Sequence, residues 1–284
     1  MKKILFTFLL FTLFAFSSDE LNIDTLFKKQ IGLRSITSFS LLSTGNEHSY
    51  YLYPNIGVNG NTAIWNDTKQ AFLQQTFVYT LFPKLDIIVS AGGSYARQEY
   101  TTFDTSEFAT QNQFGFDSSW IGLSYTGESI ADLIPQITIQ TAVIQREHSF
   151  GGSKNFYFKS QNVQGSLRGY SDPVVYSLYA GFGYNQPRKF NTLKIDYGHS
   201  VYIGGDLSLV LSPKITLDMG IEQRFQSEQK INGRKNSEIR SIPTLSTGST
   251  YSLNADTAFA INANFGGSSA APDAIFGVSL WKKF

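Results

Sequence analysis

The chain reads as all-β, a transmembrane antiparallel up-and-down β-barrel of about twelve strands, and three features predict it. Long segments alternate apolar and polar side chains, the last residue is the aromatic Phe284, and the first residues form an export leader. Alternation with period two sends successive side chains to opposite faces of a strand. Sustained over about ten residues, apolar outside and polar inside, it is what a membrane barrel requires. A soluble sandwich also alternates, but over strands of about 5–6 residues.

The leader comes first in the chain. Lys2 and Lys3 precede an apolar run over 4–16, and Ser17, Ser18, Asp19 and Glu20 follow. A basic start, a short apolar middle and small residues make 1–17 a secretory signal peptide, with Ala15 and Ser17 before the cut. The run is shorter than the ~20 apolar residues a spanning helix needs, and no later stretch is longer. Segment 18–33 then reads as a short periplasmic helix. Leu21, Ile23, Leu26, Phe27 and Ile31 fall near one face of it, with Lys28 and Lys29 on the other. It would serve as a plug or gate, or hang as a loose tail. The barrel is expected to occupy 34–284.

Within that span the alternation marks strands over 33–44, 49–58, 70–81, 85–98, 113–126, 135–147, 156–170, 174–185, 197–211, 214–226, 240–252, 256–266 and 274–284. Single-chain bacterial barrels have an even number of strands, so this odd set needs one correction. Either 33–44 is not a barrel strand, or Thr62 to Trp65 adds a short one. At roughly 22 residues per strand and connection the length favours twelve strands, with fourteen the next even count. Short connections lie at Pro83, Asp172, Pro213 and Asn254, and longer ones run over 99–111, 147–155, 185–196, 227–238 and 266–273. Their regular alternation puts tight turns in the periplasm and long loops outside. The connection 127–134 lies on the short side but is longer. Tyr79, Tyr125, Tyr184 and Tyr251, near strand ends, suit interfacial girdles.

Composition excludes several classes. The formal charge of +1 on the full chain drops below zero once the leader's lysines are gone, which argues against nucleic acid as a partner. The absence of cysteine excludes disulfides, thiolate metal sites and a lipidated amino-terminal cysteine. Charged residues make up 16% of the chain, where a soluble enzyme would carry about 25%.

The expected site is the lumen. Twelve tilted strands enclose a backbone radius of roughly 12 Å, which leaves room for small solutes. Arg146, Arg168, Asp206, Asp218, Glu222 and Arg224 fall on the polar phase of their strands. Three acids and three bases predict weak ion selectivity, or bridges between strands. At the carboxyl end Phe276, Val278, Leu280 and Phe284 share one face, the form of the terminal strand read by the barrel assembly machinery. An enzymatic alternative rests on His48, His148 and His199, each followed by serine. Adjacent residues face opposite ways, so none of these pairs is a dyad. Glu47 with His48 and Glu147 with His148 offer two metal ligands without a third. No catalytic, metal or cofactor site is therefore expected.

One resemblance adds to this reading. Gly169, Tyr170, Ser171, Asp172, Pro173, Val174 and Val175, then Tyr179, Ala180, Gly181, Phe182, Gly183 and Tyr184, form a strand–turn–strand unit. With Leu211, Ser212, Pro213 and Lys214, then Glu222, Gln223, Arg224 and Phe225, then Ile231, Asn232 and Gly233, it resembles the proteobacterial outer-membrane transporter-like β-barrels. These are often labelled after the MetA pathway of phenol degradation. Tyr251, Ser252 and Leu253, Ala271, Pro272 and Asp273, and the unit over 77–85 continue the match. The family is similar in its barrel to the Fap amyloid secretion channel. The resemblance implies a channel in the outer membrane of a Gram-negative bacterium, for passive passage or export of a solute or a polypeptide. Lipid and the assembly machinery would be its partners, and homo-oligomers are compatible with it. A non-conducting surface barrel is the alternative. Lys282 departs from the apolar residue usual near the end, and no long amino-terminal coiled coil is present.

Overall fold

The computed structural model describes residues 31–44, 63–102, 108–149, 152–190, 193–268 and 273–284, and every regular element among them is a strand. In chain order these are β1 (Gly32–Thr44), β2 (Ala63–Phe82), β3 (Leu85–Thr102), β4 (Phe108–Thr126), β5 (Ile134–Ser149), β6 (Gly152–Phe156), β7 (Ser160–Ser171) and β8 (Val174–Asn185). There follow β9 (Arg188–Phe190), β10 (Leu193–Asp196), β11 (Ser200–Ser212), β12 (Ile215–Gln226), β13 (Lys230–Ile231), β14 (Arg234–Lys235), β15 (Arg240–Asn254), β16 (Thr257–Gly266) and β17 (Ala274–Lys283).

Twelve of these close a ring in the order β4-β3-β2-β1-β17-β16-β15-β12-β11-β8-β7-β5, with β5 returning to pair with β4. Adjacent strands are antiparallel throughout, and β1 pairs with β17 from Arg34 opposite Lys283 to Ser43 opposite Ala274. Closure is what the membrane demands, because an open edge would leave unpaired N–H and C=O groups in hydrocarbon. The count of twelve is reached with β1 in the wall, while Ala63 to Trp65 extend β2 instead of adding a strand. The segment 49–58 lies outside the described residues, and β1 pairs directly with β2. Of the segment 18–33, residues 18–30 lie outside the described residues, and Gly32 and Leu33 already belong to β1 instead of a helix.

The faces divide as their chemistry requires. Val201, Ile203, Leu207 and Leu211 of β11 and Leu217, Met219 and Ile221 of β12 stand exposed on the outside. In a barrel, exposure of that kind is contact with lipid. Tyr79, Tyr125 and Tyr251 lie outward near the end that carries the tight turns, and Tyr184 lies outward near the other end. The outer face of β1 and β2 breaks the rule. The Thr37 hydroxyl donates to Gln75 Oε1 at 2.6 Å, and Gln75 Nε2 donates to Ser35 Oγ at 2.8 Å. A polar group facing lipid is tolerated when its partners are supplied from the same wall.

The tight turns and both ends of the ring lie at one rim, where Phe284 donates its N–H to the carbonyl of Leu33. The turn after β2 is tied there to the long connection after β4 by Lys84 and Glu128, 2.8 Å apart. The opposite rim is taller than the sequence suggests. β3 runs to Thr102 and β4 starts at Phe108, so most of the expected loop 99–111 is strand. Its Thr, Tyr and Phe residues favour that extension. The expected loop 147–155 is a hairpin of β5 with β6, and β9, β10, β13 and β14 form a separate small sheet at this rim.

Candidate functional site: the lumen and its narrowed mouth

The interior has three levels. Nearest the tight turns is a cavity of about 750 Å³ lined by Arg168, Asp206, Asp218, Asn262, Ser279 and Trp281, among other polar residues. Strands β7, β11, β12, β16 and β17 present them because every second residue faces inward. Asp218 accepts from Ser208 Oγ at 2.6 Å and from Thr250 Oγ1 at 3.1 Å, and Asp206 accepts from Ser177 Oγ at 3.3 Å. Hydroxyls thus fix both carboxyl groups at the wall of the cavity. Across the lumen a smaller recess of about 260 Å³ is lined by Gln74, Ser90, Asp117, Trp120 and Gln145.

Higher in the barrel, Glu222 and Arg224 neutralise each other, with Arg224 Nη2 2.8 Å from Glu222 Oε1. The Arg224 guanidinium also lies 4.4 Å from the centre of the Tyr202 ring, a contact that tyrosine's π-face favours. The Tyr202 hydroxyl reaches Asn162 at 3.1 Å and Gln164 at 3.2 Å. Two glycines make room for this layer. A Cβ on Gly181 would run into the Tyr202 ring, and one on Gly204 would run into Tyr179.

At the tall rim the connection between β8 and β11 turns inward. Arg188 and Glu147 form an ion pair there, exposed by 1% and 0%. Arg188 Nη2 also donates to Gln145 Oε1 at 3.0 Å and to Ser160 Oγ at 2.8 Å. Its guanidinium lies 4.8 Å from the Tyr197 ring centre. Tyr197 donates its hydroxyl to Glu147 Oε2 at 3.0 Å, and its carbonyl accepts from Gln226 Nε2 at 2.7 Å. Tyr197 thus links β5 to β12, which β11, β8 and β7 separate in the ring. Burial, and then the adjacent Glu147 carboxylate, push its phenol well above the ordinary tyrosine range. It remains a donor.

These positions revise part of the expected set. Arg168, Asp206 and Asp218 are brought together around one cavity, and Glu222 and Arg224 sit above them as a pair. Arg146 is not in the lumen. Ser119 pairs with Ile144 and Trp120 with Ala142, so Val143 is an extra residue in β5. A bulge of this kind inverts the phase of everything beyond it. Gln145 and Glu147 therefore face inward, while Arg146 is exposed and donates to Ser153 Oγ at 3.0 Å. Phe276, Val278 and Leu280 lie exposed along β17, and Phe284 is exposed just past its end.

Glu147 stood out in the sequence only beside His148 as a possible metal ligand, and Arg188, Tyr197 and Arg34 did not stand out at all; Arg34 Nη2 lies 3.2 Å from both Asp86 Oδ2 and Thr80 Oγ1. The only signal for Arg188 was an arginine inside an expected external loop. His199 stacks on Tyr184, with ring centres 4.7 Å apart, while Ser200 is buried on the opposite face. Among the described residues no group of three or more His, Cys, Asp or Glu could hold a metal ion.

The barrel fold has known counterparts. An outer membrane channel from Pseudomonas putida F1 superposes with a TM-score of 0.66 over 94% of this chain and 100% of its own, at 10% identity. The fold is that of barrels that span the outer membrane of Gram-negative bacteria. The translocator domain of the autotransporter NalP from Neisseria meningitidis matches with a TM-score of 0.53, over 92% of this chain and 91% of its own, at 12% identity. The transport unit of the autotransporter AIDA-I from Escherichia coli matches with a TM-score of 0.51, over 96% and 94%, at 11% identity. At these identities the likeness is one of fold. No family model matches the sequence, and no curated protein does.

Proposed function

We propose that the chain is a passive outer-membrane channel for small polar solutes, of the transporter-like kind its turn motifs resemble. The observation that carries this is the cavity of about 750 Å³ inside a closed wall, lined by hydroxyls, amides and the charges of Arg168, Lys214, Asp206 and Asp218. A solute entering it exchanges water for groups that donate and accept equally well, so passage needs no tight binding. Reconstitution into a planar bilayer tests the reading directly. Discrete conductance steps are expected, and their absence from folded protein would sink it.

With Glu222 and Arg224 paired, the cavity wall carries two acids, Asp206 and Asp218, against two bases, Arg168 and Lys214. The channel should discriminate only weakly between cations and anions. Asp206→Asn with Asp218→Asn should lower the cation-to-anion permeability ratio by about two- to fivefold, the effect of one or two charges acting through water at several ångströms. Reversal potentials in a salt gradient measure this, and an unchanged ratio would remove these residues from the pathway.

The outward row Phe276, Val278, Leu280 and Phe284 is proposed as the signal read by the assembly machinery. Phe284→Ser should slow folding into membranes that contain that machinery while leaving spontaneous folding into detergent unchanged. Equal slowing in both would assign Phe284 to barrel stability instead.

A further inference from the structure

We infer that Glu147 and Arg188 set the width of the channel, by latching the β9–β10 hairpin across the mouth at the tall rim. The inference rests on the channel reading above and names the residues that control passage in it.

The hairpin pairs with β13, Ile195 lying opposite Ile231, and is fastened to the wall at β5, β6 and β7 and at β12. Arg188 is bound to Glu147, Gln145 and Ser160 on β5 and β7. Tyr197 is bound to β5 through its hydroxyl and to β12 through its carbonyl. Phe190 meets Phe156 of β6 edge-on, with ring centres 5.0 Å apart. A chord from β5 to β12 inside a twelve-stranded ring narrows the opening on one side.

The kind of contact matters more than the number. An apolar plug can loosen gradually, each atom giving up a little contact. A buried ion pair cannot, because moving either charge leaves the other without compensation in a dry site. The hairpin therefore has a docked position and a released one, with nothing stable between. Buried ion pairs add little stability over well-packed apolar residues of the same size, and setting a register or a switch is their best-attested use. Here the two charges come from different structural units, one from the wall and one from the hairpin, so their pairing decides whether the mouth is narrow.

The test compares released and locked forms of the full chain in planar bilayers. Arg188→Ala removes the latch, and it should raise single-channel conductance several-fold and admit larger polyethylene glycols. The chain has no cysteine, so Phe156→Cys with Phe190→Cys introduces a unique thiol pair. Bridging that pair with a short bifunctional thiol reagent in the Arg188→Ala background should return conductance and size cut-off toward wild type. A purely structural loss would not be repaired in this way. Wild-type conductance in Arg188→Ala, or an enlarged conductance that bridging leaves unchanged, overturns the inference. If Arg188→Ala does not fold, judged by heat-modifiable gel migration, the bridge in the otherwise wild-type chain decides. Loss of its largest steps supports the latch, and an unaltered step distribution refutes it. Absence of steps from every form counts against the channel reading itself.

Discussion

Arg188→Ala should destabilise the barrel by about 3–5 kcal/mol, the usual cost of leaving one member of a buried ion pair alone. Glu147 is fully buried, and with Arg188 gone its strong partner among the described residues is the Tyr197 hydroxyl. The carboxylate must then take a proton, draw water into the rim or expel the hairpin, and each of these costs stability. The double variant Glu147→Gln with Arg188→Met removes both charges at nearly constant volume. It should recover most of the loss, since paired buried charges are worth little against packed neutral side chains. Urea unfolding in lipid vesicles, followed by tryptophan fluorescence, measures both variants. If the single and double variants lose the same amount, the pair is not the reason Arg188 matters.

Met219→Arg is expected to cost about 2–4 kcal/mol, the penalty of a lipid-facing arginine near the bilayer midplane. Met219 lies mid-strand on β12 with 57% of its surface exposed. On a soluble protein that exposure would make the substitution harmless. Its neighbour Asp218 faces the water of the lumen, so Asp218→Arg should move ion selectivity toward anions with little effect on stability. The two substitutions introduce the same side chain at adjacent positions, and only the face differs. Similar stability for both would mean that the outer wall is not in hydrocarbon.

Much of this architecture is legible in the amino-acid order, and β12 shows why. Leu217, Met219 and Ile221 alternate with Thr216, Asp218 and Gly220, and a wall between lipid and water has to send the two sets to opposite sides. The reading failed where local pattern stops deciding pairing. In β5 the alternation stays plausible through Arg146, but the additional residue at Val143 inverts the phase and brings Glu147 inside. Nothing in the side chains around Val143 announces it, because a bulge follows from how two strands are paired and not from one strand's composition. The region 99–111 is expected as a long connection, yet pairing of β3 with β4 extends both strands well into it.

The latch was the least legible element. Tyr197 and Glu147 are 50 positions apart and belong to segments that look like an external loop and a wall strand. Arginine in a loop is expected to be solvated, and only the inward fold of the hairpin turns it into a buried partner.

The amino-acid order alone determined that this chain is a barrel with a greasy outside and a hydrated inside, since a period of two under a lipid boundary admits one arrangement. Only the tertiary structure decided which charges meet, because contact between Glu147, Arg188 and Tyr197 requires the ring to close and its mouth to fold inward. Side-chain phase is a local property of each strand, whereas the identity of a partner across the lumen is a property of the whole ring.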